Sequence, residues 1–165
     1  MPEIVGDQAL WAVDSTAVDA IDKEIIGLLQ IDGRSTATEL AKRVRLSLSA
    51  TSERLRQLQS RGVVTGFTVQ VDAAAVGRPI EALIDVRLAA GTRQDILDEK
   101  LASFPVVIDA THLTGRFDTQ LRVATRDVAE LDQLLIQIKE NLGAEETNTR
   151  LVLRTIEGFP RSVAL

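Results

Sequence analysis

Cysteine is absent from this chain of 165 residues, and histidine occurs only once. Without cysteine there are no disulfides, no thiolate metal ligands and no cysteine nucleophile, and a single histidine excludes a histidine-rich metal site. No apolar run reaches the roughly 18 residues that a transmembrane helix needs. Residues 1–18 carry acids where a secretory signal has its basic region. We therefore expect a cytoplasmic protein with no metal and no membrane contact.

The rest of the composition is that of a folded protein. Hydrophobic residues make up 45% of the chain and charged residues 26%, which is typical of globular proteins. A chain of 165 residues can hold one domain of ordinary size or two small ones. No nucleophile with a neighbouring general base is recognisable, which argues against an enzyme.

Residues 19–62 are predicted to form three helices. Asp19 is placed to cap the first helix, which ends near Gly33. Thr36 and Glu39 have the spacing of a capping box at the start of the second helix. Ser47 is placed to cap the third helix. Apolar residues recur at helical spacing, and the buried face of the third helix is expected to carry Leu48, Thr51, Leu55 and Leu58.

The second and third helices carry local positive charge within an acidic chain. The whole chain has a formal net charge of −5, whereas the segment from Arg34 to Gly62 has seven cations against Glu39 and Glu53, a net +5. Two short helices joined by a tight turn, with a local basic surface, are typical of a helix-turn-helix that binds DNA. A small three-helix bundle with a solvated charged face is the alternative that periodicity alone leaves open.

Two sets of side chains around the third helix are predicted to contact DNA in different ways. Arginine pairs well with guanine and glutamine with adenine, so one set is expected to face base edges: Ser49, Glu53, Arg56 and Gln57. The other set is expected to lie nearer the phosphates and to fix the register on the duplex: Arg45, Ser47, Arg54 and Arg61.

After Gly62 the apolar pattern changes from helical to alternating spacing, which predicts a strand over 63–71. From Glu81 onward the predicted order is strand, helix, strand, strand, helix, strand, over 81–88, 93–104, 106–113, 118–125, 128–142 and 146–157. This order is typical of the ferredoxin-like βαββαβ fold, an antiparallel sheet with both helices on one face.

The open face of that sheet is expected to be half apolar, with residues such as Leu83, Leu113 and Val152. A half-apolar face usually has a partner, and a second copy of the chain would give a twofold homodimer. Paired helix-turn-helix units would then bind a pseudo-palindromic site on double-stranded DNA.

With both halves analysed, the chain resembles the Lrp/AsnC family, the feast/famine transcriptional regulators of bacteria and archaea. The segments that carry the resemblance are IDKEIIGLLQIDGR (21–34), ELAKRVRLS (39–47), ERLRQLQSRGVVTGF (53–67) and LTGRFDTQLRV (113–123). The resemblance implies an α+β protein with an N-terminal winged helix-turn-helix domain and a C-terminal effector domain, the regulation of amino-acid metabolism domain. It also implies dimers, often assembled into octamers, and an amino-acid effector in place of a cofactor.

The resemblance also implies where the effector binds. The family's loop between the second and third sheet strands typically has the order Gly-Asp-aromatic-Asp, and here it is Gly115, Arg116, Phe117 and Asp118. Asp118 would pair with the ammonium group of an amino acid, and hydroxyls of Thr147 and Thr149 would orient it. Arg116 places a cation where the family has an acid. This departure implies either a different effector or a site that binds nothing, and an ordinary polar hairpin turn is the alternative interpretation of these four residues.

The predicted domain organisation follows from these segments. An N-terminal arm (1–18) containing Trp11 precedes the helix-turn-helix domain (19–66), a linker strand (67–80), the ferredoxin-like effector and oligomerisation domain (81–160) and a short tail (161–165). We expect a sequence-specific transcriptional regulator of amino-acid metabolism that responds to an amino-acid-like effector. The alternative is an amino-acid-binding assembly protein whose DNA-binding domain is degenerate.

Overall fold

The computed structural model describes residues 18–156, which form two compact units that divide between Val69 and Gln70. The first unit contains α1 (Ala20–Ile31), α2 (Ala37–Val44) and α3 (Leu48–Ser60). The second contains β1 (Ile80–Leu88), α4 (Gln94–Leu101), β2 (Val107–His112), β3 (Thr119–Thr125), α5 (Val128–Leu142) and β4 (Ala144–Leu151). Trp11 and the tail lie outside the described residues. None of the helices described has the length and apolarity to cross a membrane.

The three helices of the first unit begin where the sequence predicts, because each has a side chain that satisfies its first backbone donors. The N–H of Asp22 donates to Asp19 Oδ1 at 2.8 Å, and the Asp22 carboxylate accepts from the Asp19 N–H in return. Thr36 and Glu39 form a second reciprocal capping box. The Ser47 hydroxyl accepts from the Ala50 N–H at 3.2 Å. The capping predictions are confirmed.

The core of this unit is small. Ile25, Leu40 and Leu58 are almost fully buried between the helices. Thr51 is fully buried as predicted, but Leu48 is 52% exposed, so its predicted burial is wrong. Side chains of a helix tilt toward its N-terminus, and the side chain of the first residue of α3 therefore extends beyond the packed face.

The strand predicted over 63–71 is also wrong, because no strand forms between α3 and β1 in the described chain. Val63 and Val64 instead donate their N–H groups to the Leu58 carbonyl and close the end of α3. Phe67, Val69 and Val71 are 51%, 82% and 60% exposed. Their alternation suits a strand, but a strand also needs a hydrogen-bonding neighbour, and residues 63–71 pair with no other strand in the part of the chain that the structure describes.

The second unit is an antiparallel sheet in the order β2-β3-β1-β4, with both helices on one face, as predicted for a ferredoxin-like fold. Its core lies between the helices and that face and includes Ala82, Ile84, Val86, Leu121, Val123, Leu131, Leu134 and Ile138. β4 ends at Leu151, opposite Ala82 of β1, and is therefore shorter than the predicted strand over 146–157. The Val152 N–H makes one last bond, to the Glu81 carbonyl.

The open sheet face differs from the half-apolar surface that we expected. At its centre the Asp85 carboxylate accepts hydrogen bonds from Gln120 on β3 and from Asn148 and Arg150 on β4. Leu83 lies on the same face, opposite Arg122 and Arg150 in the register. A network of charged and amide groups therefore occupies the centre of this face. The prediction of a half-apolar face is wrong at this centre, because residues far apart in sequence supply the partners of Asp85.

Candidate DNA-binding surface and effector site

The turn between α2 and α3 is tight because one residue adopts a left-handed conformation. Arg45 has φ 56° and ψ 41°, and the N–H of Leu46 donates to the Ala41 carbonyl at 3.1 Å. Leu46 then packs against the helical core. Ser47 both caps α3 and accepts, through its carbonyl, a bond from the Thr51 hydroxyl. The turn therefore fixes the direction in which α3 leaves α2.

The structure brings together the residues predicted to face base edges. Ser49, Glu53, Arg56 and Gln57 are all exposed on α3. Arg56 donates from Nε to Glu53 Oε2 at 2.9 Å and from Nη2 to Glu53 Oε1 at 2.6 Å. Gln57 Nε2 donates to the same Oε1 at 2.9 Å. The hydrogen bonds from Arg56 and Gln57 lower the pKa of Glu53 to about 2, so Glu53 is a carboxylate at neutral pH.

Arg54 lies elsewhere on α3 and contacts the start of α1. Its Nη1 donates to Asp19 Oδ2 at 2.7 Å and to Asp22 Oδ1 at 2.8 Å, and its side chain is 30% exposed. Hydrogen bonds from the Asp22 N–H and from Arg54 hold the pKa of Asp19 below its usual value. The sequence indicates that Arg54 lies near the packed face of α3, because it is three residues after the buried Thr51 and four before the buried Leu58.

The remaining predicted phosphate contacts lie at the two ends of α3. Arg45 and Ser47 are exposed at its start, and Arg61 is its exposed C-cap. Lys42 and Arg43 are also exposed, in the last turn of α2 beside the inter-helix turn. Neither belongs to the set of contacts predicted above, although both contribute to the net charge of +5 between Arg34 and Gly62. A basic surface thus covers the end of α2 and both ends of α3.

The turn predicted to bind an effector lies between β2 and β3. Gly115 has φ 116°, a conformation that side chains rarely adopt, and it allows the chain to reverse. Arg116 is exposed, forms an ion pair with Glu146 and lies over the Phe117 ring, with 5.4 Å from the guanidinium carbon to the ring centroid. Glu146 also pairs with Arg87 at 3.0 Å. The cation that departs from the family pattern is therefore held against the start of β4.

Asp118 connects this turn to β1 through two hydrogen bonds. Its Oδ2 accepts the N–H of Leu88 at 2.7 Å, and its own N–H donates to the Val86 carbonyl at 2.9 Å. One of its acceptor sites is thus used by the backbone. Thr147 is paired with Val86 and lies at the same end of the sheet, whereas Thr149 is paired with Ile84, farther from the turn. Because paired residues share a face, both threonines lie on the helix-covered side.

A groove of about 390 Å³ lies between α4 and β2. Leu101, Phe104 and Val107 contribute apolar lining, and Asp98 and Asp109 contribute carboxylates. His112 lines the groove as well, with 3.1 Å between its Nδ1 and Thr119 Oγ1 and 3.1 Å between its Nε2 and an Asp98 oxygen. These contacts connect β2, β3 and α4. Among the described residues, no group of three or more histidines and acids is arranged to hold a metal ion.

Comparison with known proteins agrees with both units. Residues 18–65 match the model of a winged helix-turn-helix DNA-binding domain, and residues 81–160 match that of the Lrp/AsnC ligand binding domain. The chain is 35% identical over 138 residues to the HTH-type transcriptional regulator FL11 of Pyrococcus horikoshii. This alignment covers 84% of this chain and 91% of that protein. This protein belongs to the Lrp/AsnC family. As a member of this family it is a DNA-binding transcriptional regulator and not an enzyme.

Solved structures of Lrp/AsnC regulators share this fold. The leucine response regulatory protein LrpA of Mycobacterium tuberculosis superposes with a TM-score of 0.76 at 30% identity, covering 84% of this chain and 94% of that chain. A feast or famine regulatory protein of M. tuberculosis, solved in complex with L-methionine, superposes with a TM-score of 0.81 at 29% identity, covering 88% of this chain and 99% of that chain.

Proposed function

We propose that this Lrp/AsnC regulator recognises specific DNA sequences near genes of amino-acid metabolism and that an amino-acid-like effector changes its DNA binding or assembly. The observation that carries the DNA part is the exposed face of α3, where Glu53, Arg56 and Gln57 lie together on the helix that follows the basic end of α2. Cations on this surface supply sequence-independent affinity, and the polar face of α3 supplies base contacts. Such a regulator acts on chromosomal DNA, in the cytoplasm.

The DNA-binding proposal is tested by comparing two arginine variants. Arg56→Ala removes a base contact and is expected to lower the affinity for the preferred sequence by about 5- to 150-fold, with little effect on the affinity for other sequences. Arg61→Ala removes a phosphate contact and is expected to weaken all sequences alike, with a salt dependence flatter by about one unit. Fluorescence anisotropy at several stated salt concentrations measures both effects.

Arg154→Ala is the matched control, because it removes an exposed arginine from the second unit. Sequence-specific binding that none of these substitutions changes would contradict the site assignment. If the protein binds no sequence preferentially but changes its assembly with an amino acid, the alternative of a degenerate DNA-binding domain replaces the proposal.

We also propose that the protein works as a homodimer and that dimers can assemble further, up to an octamer. Two helix-turn-helix units related by a twofold axis would bind a pseudo-palindromic site with half-sites one helical turn apart. The open sheet face is the surface available for pairing, since the helices cover the other face. Light scattering and the symmetry of a selected binding site test this part.

For the effector, we propose the turn Gly115 to Asp118 with Thr147 and Thr149. A related M. tuberculosis regulator was solved with L-methionine, which supports an amino acid as the ligand class. Arg116 adds a cation near this turn and favours an effector with an acidic side chain. A thermal-shift screen against the common amino acids would detect such binding, because a ligand that binds only the folded state raises the melting temperature.

Two variants at this turn make the effector test specific. Asp118→Asn keeps an oxygen that can accept the Leu88 N–H but removes the charge that would bind an ammonium group, so the thermal shift should disappear while the fold persists. Arg116→Asp restores the acid typical of the family and should reduce the response to acidic amino acids. An unchanged shift in both variants would place the effector elsewhere, with the α4–β2 groove as the next site to test.

A further inference from the structure

Glu53 is an anion in a segment that otherwise favours contact with DNA. Between Arg34 and Gly62 the chain has two acids, Glu39 and Glu53. Glu39 has a structural role, because it completes the capping box with Thr36 at the start of α2. Glu53 caps no helix, and its hydrogen bonds go to Arg56 and Gln57. A carboxylate near DNA phosphates weakens binding, so its presence on this face calls for a functional reason.

The geometry of the three residues suggests that reason. Arg56 uses two of its donors on the two oxygens of Glu53, at 2.9 and 2.6 Å. Guanine presents two acceptors, O6 and N7, to an arginine fork in the same bidentate manner. Gln57 donates to Glu53 the amide hydrogen that it would otherwise use on adenine N7. In the absence of DNA, Glu53 therefore occupies the donors that would contact bases.

We propose that Glu53 is a specificity-determining residue that holds Arg56 and Gln57 until bases with matching acceptors replace it. This inference rests on the proposed DNA-binding function of α3. On a matching site, guanine takes the Arg56 fork, and the released carboxylate accepts from the amino group of a neighbouring cytosine. On a non-matching site Arg56 stays paired with Glu53, so its charge is cancelled and it makes no phosphate contact.

The relative strengths of these contacts allow the exchange. All three side chains are exposed, and an exposed ion pair typically changes an equilibrium by only about 1.5- to 5-fold. A good bidentate contact to a base discriminates by about 5- to 150-fold. A matching base therefore replaces Glu53 readily. A phosphate offers Arg56 no such gain, because the nearby carboxylate is repelled by the same phosphate.

The test compares Glu53→Gln with the wild-type protein on two DNA fragments. The preferred fragment is obtained by selection from a random-sequence pool with the wild-type protein, and the second is a scrambled fragment of equal length. Glu53→Gln is expected to strengthen scrambled-DNA binding by about 3- to 10-fold and to steepen its salt dependence by about one unit, since Arg56 can now contact phosphate. Binding to the preferred fragment should change less than about twofold, so the specificity ratio falls.

Two further variants separate this role from a general charge effect. Glu24→Gln removes an exposed acid from α1 in the same unit and is expected to leave the specificity ratio unchanged. In an Arg56→Ala background, Glu53→Gln should no longer lower the ratio, because the residue through which it acts is gone. Circular dichroism and the melting temperature check that each variant is folded.

Some results would overturn the proposal. If Glu53→Gln strengthens binding to both fragments by the same factor, or lowers the ratio equally with and without Arg56, Glu53 is an ordinary surface charge. If the wild-type protein selects no preferred sequence, the proposed DNA-binding function itself fails, and this inference fails with it.

Discussion

Substitution of Arg54 tests whether this arginine of α3 has a structural role or a DNA-binding role. The sequence placed it near phosphates, whereas the structure shows it bonded to Asp19 and Asp22 at the start of α1. A buried hydrogen bond to a charged group contributes about 1.5–3 kcal/mol, and an exposed ion pair contributes about 0.2–1 kcal/mol. Arg54 is 30% exposed and Asp22 is 9% exposed, so this contact lies between the two cases.

We therefore expect Arg54→Ala to lower the free energy of unfolding of the first unit by about 2 kcal/mol. For a unit of this size the melting temperature should fall on the order of 10 °C. Urea unfolding followed by circular dichroism measures the change, and hydrogen exchange of the α1 and α3 amides shows that it is confined to this unit. Arg56→Ala is the matched control, because its ion pair with Glu53 on the same helix is largely exposed, with the two side chains 67% and 50% exposed, and its loss should move the unfolding midpoint much less.

DNA binding provides the second half of the test. If the contact of Arg54 with α1 sets the orientation of α3, Arg54→Ala should lower the affinity for the preferred DNA sequence without changing how steeply affinity depends on salt. Arg54→Lys should recover part of the stability, since a lysine can bond one carboxylate but lacks the planar fork of arginine. If Arg54→Ala unfolds like the wild type and its affinity depends less steeply on salt by about one unit, this reasoning is refuted. Arg54 would then be a phosphate contact, as the sequence predicts.

Three further outcomes follow from particular side chains. Arg45→Gly should raise the free energy of unfolding by about 1 kcal/mol, because glycine adopts the left-handed conformation without strain, and anisotropy should show weaker DNA binding as a cation is lost. Ile138→Ala, at a fully buried position, should cost about 3–4 kcal/mol in urea unfolding, whereas Ile136→Ala on the same helix, 47% exposed, should cost far less. Acid titration by circular dichroism should show the first unit losing stability as pH falls below about 4.5. The folded-state pKa values of Asp19, Glu39 and Glu53 are lowered, so their stabilisation is complete above their unfolded values of 3.8 and 4.5 and declines as the pH falls below them. The contribution of Glu53 declines between about pH 4.5 and pH 2.

The structural features that were predicted correctly depend on residues close to one another along the chain. The Thr36–Glu39 capping box and the Ser47 cap need only residues three positions apart, and both are present. The order of elements after Glu81 was predictable for the same reason, since each has its own apolar period. These local signals were sufficient to indicate both domains.

Features that depend on distant partners could not be predicted in the same way. The strand expected over 63–71 has the right alternation but no neighbour to bond. The partners of Arg54 lie 35 and 32 residues away, and Asp85 bonds Arg150 across 65 residues. At the turn proposed to bind the effector, the sequence shows the charge of Asp118 but not that its carboxylate accepts the Leu88 N–H. Composition and periodicity contain no information about such pairings.

The charged network on the open sheet face has a consequence for proteins that descend from a duplicated gene. Glu81 and Asp85 are matched there by Arg122 and Arg150 within the same chain, so these four side chains would bring no net charge to the proposed homodimer. In a twofold pair every substitution occurs twice, and reversing the charge at Asp85 would expose both copies of Arg150 to a like charge. Changing both residues together would restore the ion pair within each subunit, so duplicated regulators could exchange these two charges and keep the surface of the sheet intact.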